Sequence, residues 1–230
     1  MNQASLNLVA ITLFSLVMMS LLGPILHLSP TVPAIATFAI LSFMAVDTFG
    51  LQGRFGAIVI DGFARLSPEH RARVICHEAG HFLVAHLSGI PITGYTLTAW
   101  EAFRQGQRGQ GGVSFDTQEL DQELKQGILS NQLIDRYCTV WMAGTAAETL
   151  IYGNAEGGAD DRQKFRTLWF QLKRTNAEGA LKEKGAIFQA KSLIQGQMQA
   201  FEALVAAMEQ RAPVEDCCRA IDEQQTPQAT

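Results

Sequence analysis

The distribution of charge constrains this chain more than any single motif. Residues 1–53 hold no Lys or Arg and one acid, Asp47, whereas all 18 basic residues lie from Arg54 onward. A stretch that long without a cation does not cover a water-facing surface, so the two parts are built for different solvents. Residues Leu8 to Leu26 are almost wholly apolar, long enough for a hydrocarbon layer of ~30 Å. Gly23-Pro24 and His27-Leu28-Ser29-Pro30 mark a turn, and a second apolar run covers Val32 to Val46, closed by Asp47 and extensible to Leu51. Two apolar runs this close together predict a hairpin of two transmembrane helices, a membrane anchor over residues 1–53. The basic n-region and small-residue cleavage site of a secretory signal are missing. Arg54, Arg65, Arg71 and Arg73 follow the second run. The positive-inside bias therefore places the remainder on the cytoplasmic side, or in the matrix or stroma of an organelle.

Beyond the anchor we expect a linker over 54–66, apolar enough to lie at the membrane surface, then a domain over 67–212 and a polar, frayed tail over 213–230. A net charge of −4 gives no basis for nucleic-acid binding. The four cysteines, Cys76, Cys138, Cys217 and Cys218, form no C-x-x-C pair and no plausible disulfide framework. They read as reduced thiols, with Cys76 an inert buried one.

The chemistry concentrates at His77-Glu78-Ala79-Gly80-His81. On a helix the i, i+4 spacing stacks both imidazoles on one face. Two neutral ring nitrogens there can hold one zinc ion, and Glu78, about 100° round the helix, can reach a water beside it. This is the H-E-x-x-H arrangement of metallopeptidases. A helix is predicted from the flanks: Ser67-Pro68-Glu69 opens it with a cap, a proline and an acid, and Gly89 with Pro91 closes it.

The rest reads as mainly helical with a small hairpin. Thr93 to Trp100 predicts one strand, Gly112-Val113-Ser114-Phe115 a second, and Glu101 to Gly112 the loop between them. Such a strand edge can hold an extended substrate backbone. Asp116-Thr117-Gln118-Glu119 resembles a capping box opening a helical region to Tyr152, broken near Gly127 or Ser130. Helices over Asp161 to Thr175 and Ala186 to Gln210 follow.

Two histidines are one ligand short of a catalytic zinc site. The residues available as a third are His70, His86, Glu148, Asp160 and Asp161. His86 points off the metal face, and Val84 stands where the longer H-E-x-x-H-x-x-G-x-x-H motif has its glycine; His70 and His86 read as ordinary polar residues.

Three blocks in order resemble the peptidase domain of FtsH-type membrane-bound zinc proteases. They are His77 to His81, then Ala143-Gly144-Thr145-Ala146-Ala147-Glu148-Thr149-Leu150-Ile151-Tyr152-Gly153, then Gly157-Gly158-Ala159-Asp160-Asp161. The likeness runs from about Glu69 to Gln210. It implies a helical, zincin-like peptidase domain with Zn2+ as cofactor, His77 and His81 as ligands and Glu78 as the base. It also implies Asp161 as third ligand, Asp160 being the alternative if the turn is one residue shorter, and Glu148 as an outer partner. The family carries an ATPase module that this chain does not show: G-x-x-x-x-G-K-[ST] occurs nowhere, and Gly109-Gln110-Gly111-Gly112 lacks the Lys. The resemblance therefore implies an endopeptidase acting on unfolded or membrane-associated proteins, with no ATP site of its own, and served by a separate AAA ATPase partner or a homo-oligomer. Two other readings compete. One is a catalytically silent assembly or quality-control factor that uses the fold as a binding module. The other is a site-2-type intramembrane protease, which needs an Asp in a later transmembrane span.

Overall fold

The computed structural model describes residues 3–50, 53–107, 111–127 and 130–224. The end of the second apolar run at 51–52, the middle of the predicted loop at 108–110, part of the break after Gly127 at 128–129 and the end of the tail at 225–230 lie outside the described residues. The chain divides into two compact units. One comprises residues 1–68 with 98–111, the other 69–97 with 112–230.

The first unit holds α1 (Gln3–Leu22), α2 (Thr31–Gly50), α3 (Arg54–Ala64) and α5 (Ala99–Arg104). The expected pair of membrane spans is corrected to one. Among the described residues only α2 is long and apolar enough to cross a membrane, and 6% of its most apolar window is buried; the apolar part of α1 narrows to Val9–Leu22. That part is ~21 Å long, short of ~30 Å. The physical reason lies at both of its ends. Gln3, Ser5 and Asn7 make the first turns of α1 polar. Gly23 N–H bonds to Met19 O, Pro24 has no N–H to continue the ladder, and α1 ends at Leu22 with Ile25 and Leu26 in the turn beyond it.

Conversely, α2 runs past Asp47 instead of stopping there. The Asp47 carboxylate is buried because it caps α3: Oδ1 accepts Phe55 N–H at 3.0 Å and Oδ2 accepts Gly56 N–H at 2.7 Å. Gly53, at the start of α3 with φ 76°, offers no side chain to those orphan donors. The expected linker is thus largely a helix. The predicted loop also carries structure. Thr98 Oγ1 caps α5 by accepting Glu101 N–H, Asp61 Oδ2 accepts Ala99 N–H at 3.0 Å, and the Phe103 ring lies 5.7 Å from Phe55 and 5.8 Å from Trp100.

The second unit is mainly helical, with one small sheet. It holds α4 (Pro68–Leu87, from Glu69 on), β1 (Ile92–Thr96), β2 (Gly112–Phe115), α6 (Gln118–Gln126), α7 (Asn131–Tyr152), α8 (Ala159–Gln171), α9 (Asn176–Gly196), α10 (Met198–Glu209) and α11 (Val214–Asp222). β1 and β2 are antiparallel, with Tyr95 opposite Val113 and Thr96 opposite Gly112; β1 ends before the predicted Trp100. α6 and α7 separate where expected. Gly127 (φ 68°) closes α6 and Ser130 caps α7 through Leu133 N–H. At the predicted capping box the Thr117 side chain caps nothing, and Asp116 Oδ1 instead accepts Gln118 N–H.

α4 and α7 form the centre. A Cβ on Gly80 would lie 2.6 Å from Ala143 O and 2.7 Å from the Ala147 methyl. The two helices therefore cross where only glycine and alanine allow backbones this close. Phe82, Leu83, Val84, Tyr137, Val140, Ile194, Leu204 and Met208 fill the core around that crossing. The single helix expected over 186–210 divides at Gln197 into α9 and α10. The frayed tail is corrected through residue 222. Residues 214–222 form α11, whose Cys217 and Ile221 are fully buried. Its i, i+4 apolar pair outweighs its charged character.

Candidate metal centre

Each site residue is delivered by a different local device. α4 supplies His77 and His81 one turn apart, their ring centroids separated by 4.7 Å at 71°. α7 supplies what holds them. The Glu148 carboxylate sits 2.7 Å from His77 Nδ1 at Oε1, and the carbonyl of Val140 sits 2.7 Å from His81 Nδ1. Both oxygens only accept, which assigns the proton to Nδ1 of each ring and leaves each Nε2 with a lone pair. Those two Nε2 atoms face each other at 3.0 Å. α8 begins after Gly158, in the left-handed region at φ 84°, and its first turn brings Asp161 Oδ2 to 3.2 Å from both. Gly144 makes room, since a Cβ there would overlap the His77 ring.

His77, His81 and Asp161 are buried at 8%, 4% and 8% exposure. With both rings neutral, three electron pairs converge and no proton lies among them. That arrangement repels itself unless a cation sits there, and two imidazoles with one carboxylate are a ligand set zinc takes. The ligand atoms all lie within 4.8 Å of one another. The hydrogen bonds behind the rings are the outer support that metal-binding histidines use. The residues present therefore fit a zinc ion.

Protonation follows the same logic. Burial alone would depress His77, but its bonds to Asp161 and Glu148 overcome this and raise its pKa to about 10. Burial opposes ionisation of Asp161, yet His81, His77 and Lys164 hold it well below the usual carboxylate range. A proton thus substitutes for the cation when no metal is bound. Burial likewise opposes ionisation of Glu148, while His77 and the N–H groups of Glu156 and Gly157 hold its pKa down.

Glu78 is half-buried beside the cluster. Its Oε2 accepts Val113 N–H at 2.9 Å, and a Cβ on Gly112, itself at φ 128°, would come within 3.0 Å of that oxygen.

Of the sequence-predicted residues, the structure brings His77, His81 and Asp161 together, with Glu78 adjacent and Glu148 behind His77. Asp160, one residue earlier on α8, is exposed and outside the cluster. His86 pairs with Asp222 at 2.7 Å instead, and His70 also stands outside. Cys76 is no ligand; burial, with Glu148, pushes its thiol up to about 12. Sequence reasoning missed the Val140 carbonyl, which carries no side-chain signal.

No protein-family model matches the chain. The ATP-dependent zinc metalloprotease FtsH 1 of Methylacidiphilum infernorum is 36% identical over 104 residues, which cover 44% of this chain and 15% of that protein. The chain is therefore similar to a limited part of a much longer zinc metalloprotease, and it carries a His-His-Asp cluster able to hold a metal.

Proposed function

We propose that this chain is a membrane-anchored zinc endopeptidase that holds one zinc ion on His77, His81 and Asp161. The convergence of two buried Nε2 atoms and one carboxylate oxygen carries the reading, and the partial similarity to a zinc metalloprotease supports it. Zinc, when bound, supplies Lewis acidity toward a scissile carbonyl and acidifies a water. Glu148 and Val140 O keep both Nε2 atoms turned toward the cluster. The Glu78 carboxylate takes the proton of the attacking water and passes it to the leaving amine. Its contact with Val113 N–H fixes where that carboxylate stands.

β2 runs beside Glu78 and suits a substrate presented as an extended strand, so the substrates are unfolded or membrane-associated proteins. Residues 1–230 hold no G-x-x-x-x-G-K-[ST] motif, and in this reading a separate AAA ATPase partner or a homo-oligomer supplies any unfolding. The run of arginines after α2 favours the cytoplasmic, matrix or stromal side for the peptidase unit. Against the intramembrane reading, Asp161 sits on a helix with Asp160, Arg162, Lys164 and Arg166, which is no apolar span.

The test is Glu78→Gln in the full chain. Casein turnover should fall on the order of 10²- to 10⁴-fold with zinc content unchanged, whereas His81→Ala should lose the zinc. Undiminished cleavage by Glu78→Gln would remove Glu78 from the mechanism. Zinc uptake without any turnover by the wild type would favour the assembly-factor reading.

A further inference from the structure

Arg73 lies one turn before His77 on α4 and takes no part in the chemistry above. Its side chain is only 12% exposed, and a guanidinium so withdrawn from water is kept by its partners. The guanidinium carbon stands 4.4 Å from the centre of the Tyr152 ring, a cation–π distance. Nη1 donates to Asn154 Oδ1 at 3.2 Å and lies 3.6 Å from Glu156 Oε1 and 3.8 Å from Glu148 Oε2. Nε lies 3.7 Å from Glu69 Oε1 and makes no hydrogen bond. Apart from Glu69, every partner belongs to the end of α7 or to the turn that leads into α8.

That turn serves the metal centre twice. The N–H groups of Glu156 and Gly157 bind the two Glu148 oxygens at 2.9 and 3.1 Å, and Glu148 Oε1 in turn meets His77 Nδ1. The same turn launches α8 and with it Asp161. Glycines at 153, 157 and 158 give it little stiffness of its own. A side chain reaching it from α4 supplies what its backbone lacks.

We propose that Arg73 is a positioning residue of the metal centre, clamping the turn between α7 and α8 so that Glu148 stays on His77. It touches neither metal nor substrate. The inference rests on the proposed zinc site. It also explains the residue type, because a lysine would keep the charge without the planar face that stacks on Tyr152 or the fork that reaches Asn154.

The experiment titrates the full, detergent-solubilised chain, stripped of metal, with cobalt(II) read by its visible absorption and with zinc read by chelator competition. Arg73→Met should bind zinc about 10-fold more weakly than wild type, the lower end for loss of an outer partner. Arg73→Lys should fall between the two. In Arg73→Met/Glu148→Gln the loss should be smaller than the product of the single losses, because one residue acts through the other. A merely structural arginine would give independent, multiplying effects. Wild-type affinity in Arg73→Met, or a full product in the double variant, overturns the role. If far-UV circular dichroism shows that Arg73→Met does not fold, Arg73→Lys decides: wild-type affinity there overturns it. A wild-type chain that takes up neither metal overturns both this inference and the zinc reading it rests on.

Discussion

Two aspartates are buried to nearly the same degree, Asp47 at 5% and Asp161 at 8% exposure, and they do opposite things. Asp47 is met by two backbone N–H donors of α3. Its charge is answered by groups that cannot leave, so the carboxylate is finished as part of the fold. Asp161 is met chiefly by the Nε2 atoms of two imidazoles whose Nδ1 positions are held by Glu148 and by the Val140 carbonyl. Among the described residues its other close partner is the half-exposed ammonium of Lys164. A buried carboxylate surrounded by donors is structural; one surrounded by acceptors waits for a cation. Burial alone does not separate the two, and the chemistry of the neighbours does.

The comparison breaks most decisively at the metal. Asp161→Asn should weaken zinc binding by more than the roughly 10- to 100-fold that loss of a mere supporting residue causes, while Asp47→Asn should leave zinc content as it was. Equal losses in both, measured by metal analysis of the purified chain, would erase the distinction.

A pH series sharpens it next. In the metal-free protein His77 is raised from 6.5 to about 10, so its stabilising contribution is complete below about 6.5 and is lost as pH rises toward 10. Asp161 is lowered from 3.8, so its contribution is present above that value and is lost as pH falls. Protons and zinc compete for the same electron pairs. The difference in melting temperature between zinc-loaded and chelated protein should therefore grow from pH 6 to pH 9, and a flat difference would contradict the geometry.

Smaller still is Asp47→Ala. It strips the Phe55 and Gly56 N–H groups of their acceptor and should cost about 1–2 kcal/mol, the scale of a lost helix cap, read by denaturant unfolding in detergent. The smallest effect belongs to Asp160→Asn. Zinc content should not change, and stability should move by less than about 0.5 kcal/mol, as for an exposed substitution.

What was legible in the sequence was local. The spacing of His77 and His81, the bounds of α4 and the break before Asn131 all follow from helical period, caps and glycine. The small residues from Ala143 to Ala147 permit a close crossing, but nothing in their sequence names Gly80 as the counterpart. Asp161 was named over Asp160 only through the family resemblance; the structure supplies a physical reason, since Gly158 starts α8 in a phase that buries the second acid and exposes the first. Long-range partnerships stayed hidden. Nothing near Asp47 in sequence says that it caps a helix eight residues on, and nothing near Arg73 points to Tyr152 and Asn154. Hydropathy also ranked the apolar runs in the wrong order. Run length counted Ile25 and Leu26, which Pro24 excludes from the helix, and it closed the second run at a charge that proved to be buried. In α11 the pattern Val214, Cys217, Cys218, Ile221 was readable and was obscured by its acids.

The return of residues 98–111 to the first unit has a consequence for the order in which the chain is made. When synthesis has passed Pro68, α1, α2 and α3 exist, but α5 does not, and Asp61 still lacks the Ala99 N–H that it will hold. That unit closes only after His77, Glu78 and His81 have left the ribosome and before Asp161 has. Two of the three ligands are therefore synthesised inside the interval in which the N-terminal unit is incomplete, and the third follows only after α5 has been made.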